Sequence, residues 1–499
     1  MQFVERDYLD RRVGPHTAAL PDMGFAARIV AEADDTRAVL MLLSRVDPEK
    51  RWNRAAVTAL LARLIASLDE VLDEQLNAIL HHPELQALEA NWRGVQLLTD
   101  QVDHDDTEDL VRVKVLDLDW ATLSKDLARA IEFDQSRLFA KVYNEEFGSP
   151  GGEPFGLLLG AYAVSHRTAG GQGNLDTLKE LARVGAAAFA PVVLNAAPSL
   201  FGVDHFAELS GVRELESHFA QPDLSKWRSL RQMEDARFLA MALPRMLMRG
   251  RYPDNGQGGE GFCFRERQHS DADHLWGPAC FAVGAVAIRA FCQSGWFAQI
   301  RGYRAGRVAH GTVDNMPAIQ AMTAAGLLYP TRSAVEWQVT DRMERILAEE
   351  GFLPLMPLIN TEMLVLHSVP SVQEPMAYDE PEAQVSARLS AMMHYTLCVS
   401  RFAHYLKVMG RDRVGGYRSP EECEAQLQRW LHGYTTATEG ASDEIRARYP
   451  LRDAKVSVRA KAGQPGRYYS VIRLQPHFQL DQLVTGMRLI TELAPVSGA

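Results

Sequence analysis

From Ala56 to Leu80, apolar residues recur at helical spacing, with Val57, Leu60, Leu61, Leu64, Ile65, Leu68, Val71, Leu72, Leu76, Ile79 and Leu80 forming an apolar stripe on a predicted long helix. Pro83 interrupts the stripe, and Leu85 to Leu98 resumes it with Trp92 assigned to the buried side. Phe25 to Leu43 has helical spacing broken at Asp34-Asp35 and reads as a loosely held arm. Leu110 to Leu118 alternates Val111, Val113 and Val115 with Arg112 and Lys114, which predicts a strand, and a helix follows over Trp120 to Ile131. Phe155 to Tyr162 and Ala190 to Leu194 are continuous apolar runs flanking a helical Asp176 to Phe189. That is the pattern of two buried parallel strands joined by a crossover helix. Ser368 to Glu382, with Pro370, Pro375 and Pro381, reads as a linker, and Val385 to Val408 as one long helix.

Near the C-terminus the period changes twice. Lys455 to Lys461 alternates polar and apolar residues, Ala462-Gly463-Gln464-Pro465-Gly466 supplies a turn, and Tyr468 to Leu474 is the return strand of a hairpin. Beyond Pro476, Leu480, Leu483, Val484, Met487 and Ile490 share one helical face, and Asp481, Thr485, Arg488 and Glu492 line the other. A hairpin leading into an amphipathic helix is expected.

Charge sharpens this stretch. Between Ala454 and Gln475 stand Lys455, Arg459, Lys461, Arg467 and Arg473 and no Asp or Glu, within a chain of formal net charge -11. A lone two-stranded ribbon is marginal in water, and its unpaired edges invite another strand. Two readings stay open: a solvated hairpin packed on its own domain, or strand addition by a partner whose acidic segment the cations select.

The 499 residues, 46% hydrophobic and 23% charged, suit an ordinary folded protein of two or more domains. A pI of about 5.8 with scattered basic residues argues against a general nucleic-acid binder. The charged N-terminus (Glu5, Arg6, Asp7, Asp10, Arg11, Arg12) does not resemble a signal peptide, and no apolar run reaches the roughly 18 residues of a membrane span, so a cytoplasmic location is expected. Cys263, Cys280, Cys292, Cys398 and Cys423 form no C-x-x-C pair and read as core or surface filler. The acid-rich stretch with Asp103, Asp105, Asp106, Glu108 and Asp109 reads as a hydrated loop. Gly170-Gly171-Gln172-Gly173 and Gly151-Gly152 fit neither a P-loop nor a dinucleotide fingerprint and read as turns. His81-His82, His394 and His404 have spacings that favour packing or exposure over a metal. Glu145, Glu146 and Glu153 are candidates for an acid/base pair in chemical type only. No cofactor is expected.

Several segments carry a resemblance. His81-His82-Pro83-Glu84-Leu85-Gln86-Ala87-Leu88-Glu89-Ala90-Asn91-Trp92-Arg93-Gly94 resembles the opening of the conserved part of the large sheath subunit of bacterial type VI secretion systems, the TssC/VipB family. Tyr143-Asn144-Glu145-Glu146-Phe147-Gly148 with Gly152-Glu153-Pro154-Phe155-Gly156-Leu157-Leu158 is similar to that family's central signature. Phe201-Gly202-Val203, Glu234-Asp235-Ala236-Arg237-Phe238, Leu243-Pro244-Arg245, His274-Leu275-Trp276-Gly277 and Pro476-His477-Phe478-Gln479-Leu480 follow in family order. Ala161 departs from the pattern, where an acid is expected, and the first 55 residues match poorly.

The resemblance implies a mixed α/β fold like a contractile phage-tail sheath. An N-terminal arm and helices (1–100) would bind the small sheath subunit, with Leu61, Leu64, Leu68 and Leu72 at the interface. A middle α/β domain (101–367), a linker (368–382) and a C-terminal inner domain (383–499) would follow. Lys455, Val456, Val458, Arg459, Lys461, Tyr469, Val471 and Arg473 are then the interlaced strands joining neighbouring copies, and Asp481, Thr485, Arg488 and Glu492 the helix facing the inner tube. The implied partners are the small subunit in a heterodimer, further copies in six-membered helical rings, the inner tube protein, the baseplate and, through the small subunit, a recycling ATPase. The implied role is structural, a sheath that contracts to propel the inner tube. A baseplate or scaffold paralogue, and an enzyme with an α/β domain, are the alternatives.

Overall fold

The computed structural model describes residues 23–49, 51–102, 110–166, 174–212, 215–252, 262, 264–268, 270–297, 299–303, 311–317, 319–322, 328–358, 361–412, 420–436, 438, 441–460, 468–477 and 487–493. They fall into two compact units, Met1–Gln75 with Gly256–Phe264, and Leu76–Asn255 with Arg265–Ala499.

In the first unit, the segment whose helical spacing breaks at Asp34-Asp35 forms two helices, α1 (Met23–Ala31) and α2 (Asp35–Val46). The Asp34 side chain accepts from the Thr36 amide at 2.9 Å and caps α2, so the acids that break the helical pattern start a second helix. The 27-residue α3 (Arg54–Leu80) begins here, with Asn53 capping the Ala56 amide at 2.8 Å.

In the second unit, α4 (Pro83–Thr99) starts on a proline at its first turn, where no helical hydrogen bond is lost. Ala90, Gly94 and Leu98 are its buried residues, and Trp92, expected inside, is 61% exposed. The contact face is built of small residues because it lies tight on α7 (Cys280–Ser294): a Cβ on Gly94 would sit 2.3 Å from the Phe281 ring. Leu110 to Leu118 forms no ladder, contrary to the expected strand. Its alternation reflects half-burial of an extended segment: Val111 and Val113 pack on the core, Arg112 pairs with Glu153 at 2.7 Å and Lys114 with Glu146. The helix α5 (Trp120–Arg129) follows as expected.

The expected βαβ unit is present as β1 (Leu158–Val164), α6 (Asn174–Ala188) and β2 (Val192–Ala196), with β1 and β2 parallel. With β3 (Leu239–Leu243), β4 (Met246–Arg249), β5 (Leu275–Gly277), β6 (Thr312–Val313), β7 (Ile319–Met322), β8 (Leu328–Arg332), β9 (Phe352–Pro357) and β10 (Leu364–Leu366), the six-stranded sheet runs β1-β2-β3-β9-β10-β6. Its first four strands are parallel. Successive residues go to opposite faces: Val193, Ala240 and Ala242 join α4 and α7, whereas Val192, Leu194, Leu239, Met241 and Leu243 join α5 and α6. Both faces are covered, which is why these strands are almost wholly apolar, buried Asn195 of β2 excepted.

Glu89 and Arg93, in the first segment that carried the resemblance, have structural work. Glu89 accepts from Arg93 at 2.7 Å and from Arg249 at 2.9 Å. Fully buried Glu266 accepts from Arg249 at 2.8 and 3.2 Å and from the Tyr252 amide at 2.7 Å. Burial pushes the Glu266 carboxyl up, but these hydrogen bonds overcome it and hold the group below its ordinary value. Within Ser368 to Glu382, the segment read as a linker, Val369, Ser371 and Val372 are buried. This segment also explains why Val385 to Val408 is not one helix. The chain splits into α9 (Pro381–Ser390) and α10 (Met393–Asp412), after α8 (Asp341–Glu349), where Ser371 and Val369 take the Ala391 carbonyl and the Met393 amide at 2.8 Å each.

Candidate assembly interface

Alternation turns the C-terminal segment into an amphipathic sheet. β11 (Leu451–Ala460) and β12 (Tyr468–Pro476) form the expected antiparallel hairpin, with Lys455 opposite Arg473 and Arg459 opposite Tyr469. Ala454, Val456 and Val458 on β11, with Ile472 and Leu474 on β12, are buried in a cluster with α10 and α11 (Pro420–His432). Trp296 stacks on Phe402 at 4.0 Å in the same cluster, giving the sheet a rigid aromatic floor. Lys455, Arg459 and Arg473 are exposed on the opposite face, and Val471 is half-buried.

Within the expected helix over Leu480 to Leu493, the described residues form a third strand instead, and 480–486 lie outside the described residues. β13 (Met487–Leu493) pairs antiparallel with β12, from Leu474 opposite Met487 to Tyr468 opposite Leu493. In this seven-residue window the apolar positions also fit period two: Met487 and Leu489 register against buried Leu474 and Ile472. Pairing with the otherwise free edge of β12 decides between the two periods. Arg488 therefore registers opposite Arg473, and Glu492 opposite Tyr469, in place of a tube-facing helical stripe. Lys461, Asp481 and Thr485 lie outside the described residues.

This register makes a row that helical reading missed. Lys455, Arg473 and Arg488 occupy directly opposed positions across the three strands. Like charges at directly opposed positions of a sheet repel. The two sides of the sheet also differ. The outer side of β11 is met by α11, with Gln428 and Glu424 bonded to its backbone. β13 ends the sheet, with no further strand beyond it among the described residues.

The other predicted interface is on α3. Leu61 and Leu64 are half-buried, Leu68 is 58% and Leu72 42% exposed, and Ile65 and Val71 are also exposed. Within the described residues, that helix carries an uncovered apolar stripe. Of the candidate acid/base carboxylates, Glu146 and Glu153 are brought together, Glu146 accepting from the Glu153 amide at 3.1 Å, and each is paired with a cation, Lys114 and Arg112 respectively. His394 and His404 are buried singly, and no group of three or more His, Cys, Asp or Glu positioned to hold a metal occurs among the described residues. Cys280, Cys398 and Cys423 are buried, and burial pushes the Cys280 and Cys398 thiols up to about 12. The acid-rich 103–109 stretch, Cys263 and Gly170 to Gly173 lie outside the described residues. No helix among the described residues is long and apolar enough to cross a membrane.

The described residues thus carry a basic three-stranded sheet with unlike edges and a helix with exposed apolar side chains. Comparison with known proteins identifies the class. The family description "EvpB/VC_A0108, tail sheath N-terminal domain" matches residues 62–373, and "EvpB/VC_A0108, tail sheath gpW/gp25-like domain" matches 382–493. The type VI secretion system sheath protein TssC1 of Pseudomonas aeruginosa (strain PAO1) is 35% identical over 435 residues, covering 86% of this chain and 85% of the relative. The chain belongs to this VipB tail-sheath family and is a large subunit of a type VI secretion contractile sheath.

Proposed function

We propose that the chain works as one strut of a helical tube in which neighbouring copies share backbone through the C-terminal sheet. One observation carries the reading: β13 contributes a seven-residue ladder to β12 in its own chain. Passing β13 to an adjacent copy would remake the same hydrogen bonds between chains, the logic of exchanging an identical element between protomers. The joint would then be strong without any new chemistry, and work would be drawn from geometry stored on assembly. The region 1–100 takes the small sheath subunit on the α3 stripe of Leu61, Leu64, Leu68 and Leu72, burying apolar surface that water otherwise meets. The middle domain (101–367) is the body of the strut, 368–382 its connection, and 383–499 the inner layer. The tube has six-membered rings, surrounds an inner tube in the cytoplasm, starts from a baseplate and is recycled by an ATPase acting through the small subunit.

The test is co-expression with the small subunit, comparing the full chain with one ending at Gly486. Full-length protein should give tubules by electron microscopy, and the shortened chain the heterodimer alone. Tubules of ordinary length without β13 would refute strand sharing. Discrete particles from the full chain would favour a baseplate or scaffold role.

A further inference from the structure

The outer side of β11 is closed by side chains. Gln428 on α11 donates from Nε2 to the Ala454 carbonyl at 2.6 Å, and its Oε1 accepts from the Val456 amide at 2.7 Å. One helical turn earlier, Glu424 Oε2 accepts from the Val458 amide at 2.8 Å. A carboxamide carries the donor and acceptor of a peptide group, so Gln428 fills the positions that a residue of an added strand would take. His432 Nε2 lies 2.9 Å from the Gln428 Nε2, which orients the carboxamide plane.

The helix itself blocks the edge as well. Cys423, Leu427 and Leu431 are buried in the same cluster as Leu451, Ala454, Val456 and Val458. Seating a strand along Ala454 to Val458 would require lifting α11 and breaking that core. On the other side of the hairpin, β12 is met by backbone alone, the strand β13.

We infer that Glu424 and Gln428 close the β11 edge to added strands and thereby set the side of the sheet on which neighbouring copies join. The inference rests on the strand-sharing reading above and adds its polarity. A sheet open on one side accepts strands in one order, which prevents copies from joining through the wrong edge. An unguarded β11 would offer a second, equivalent-looking template.

The test uses the full chain with its small subunit. In unassembled heterodimer, Glu424→Ala with Gln428→Ala should raise amide exchange at Val456 and Val458 at least tenfold, and Glu424→Gln, which keeps the acceptor, should leave Val458 slow. Should the double variant fail to fold, Glu424→Ala against Glu424→Gln makes the same comparison. Unchanged exchange in Glu424→Ala would overturn the inference. In wild-type tubules traced by electron cryomicroscopy, any strand from another copy should lie on the β12 side, with Gln428 still against β11. A foreign strand along Ala454 to Val458 overturns this inference alone, whereas a sheet with no foreign strand sinks strand sharing and this inference with it. Folded double-variant protein should give short or aggregated assemblies, and wild-type tubules from it would count against the guarding role.

Discussion

His404 Nε2 lies 2.9 Å from the Ala188 carbonyl and donates to it, tying α10 to the end of α6. The neighbouring Lys407 donates to the Tyr143 hydroxyl at 2.6 Å and sits over the Phe147 ring at 3.7 Å. The helix α10 is thus bolted to the segment Tyr143 to Phe147 that carried the family likeness. Burial pushes the His404 imidazole down to about 4, and that of His394 to about 3. Between pH 6.5 and 4 the unfolded chain therefore binds the proton that the folded chain refuses. The contribution of His404 is complete above pH 6.5 and is lost as pH falls toward 4. Thermal melting should fall from pH 7 to 5, and His404→Leu should flatten that slope. At pH 7 the same substitution should cost about 1–3 kcal/mol, because it leaves the Ala188 carbonyl unpaired. An unchanged slope would contradict the assignment.

Gly94 faces the Phe281 ring at a distance that leaves no room for a methyl group. Gly94→Ala should destabilise the chain by about 1–3 kcal/mol by overpacking, despite the better helix propensity of alanine. Gly94→Ala with Phe281→Leu should lose less than the sum of the two single variants, because the leucine vacates the clash. Additive losses in chemical denaturation would show that the two positions do not meet.

Legibility in the sequence followed the range of the interactions. The βαβ unit was readable because β1 and β2 are covered on both faces, and the hairpin because Ala454, Val456 and Val458 alternate with polar neighbours. Val111 and Val113 misled because alternation reports half-burial, which an extended segment can have without a ladder partner. Trp92 misled because size suggested burial, whereas the face was chosen by the small Ala90 and Gly94 that admit α7. Met487 to Leu493 fits both periods, and only the distant edge of β12 decides. Glu424 and Gln428 had no local signal, since two polar residues at i and i+4 look like a solvated helix face.

The cation row predicts opposite effects in the free and assembled chain. Lys455, Arg473 and Arg488 repel one another in register, so Arg473→Glu should leave the melting temperature of the unassembled chain equal or raised. If the row meets acidic groups of a neighbour, the same substitution should make tubules dissociate at lower salt. A lowered melting temperature, or unchanged salt resistance of tubules, would show that the row has another purpose.

Proline substitutions distinguish the two sides of β11. The Val456 and Val458 amides point to Gln428 and Glu424, so by alternation the amides of Lys455, Ser457 and Arg459 face β12. Val458→Pro removes the donor to Glu424 and leaves the ladder with β12 complete, whereas Ser457→Pro deletes a ladder bond and places the ring against the paired strand. If copies are joined through β12 and β13, Ser457→Pro should abolish tubules while the heterodimer survives. Val458→Pro should then weaken the α11 contact and still permit some tubule growth. Counting tubules by negative-stain microscopy beside heterodimer yield separates the cases. Equal loss in both variants would mean that the hairpin needs both edges for assembly, and equal growth would mean that it needs neither.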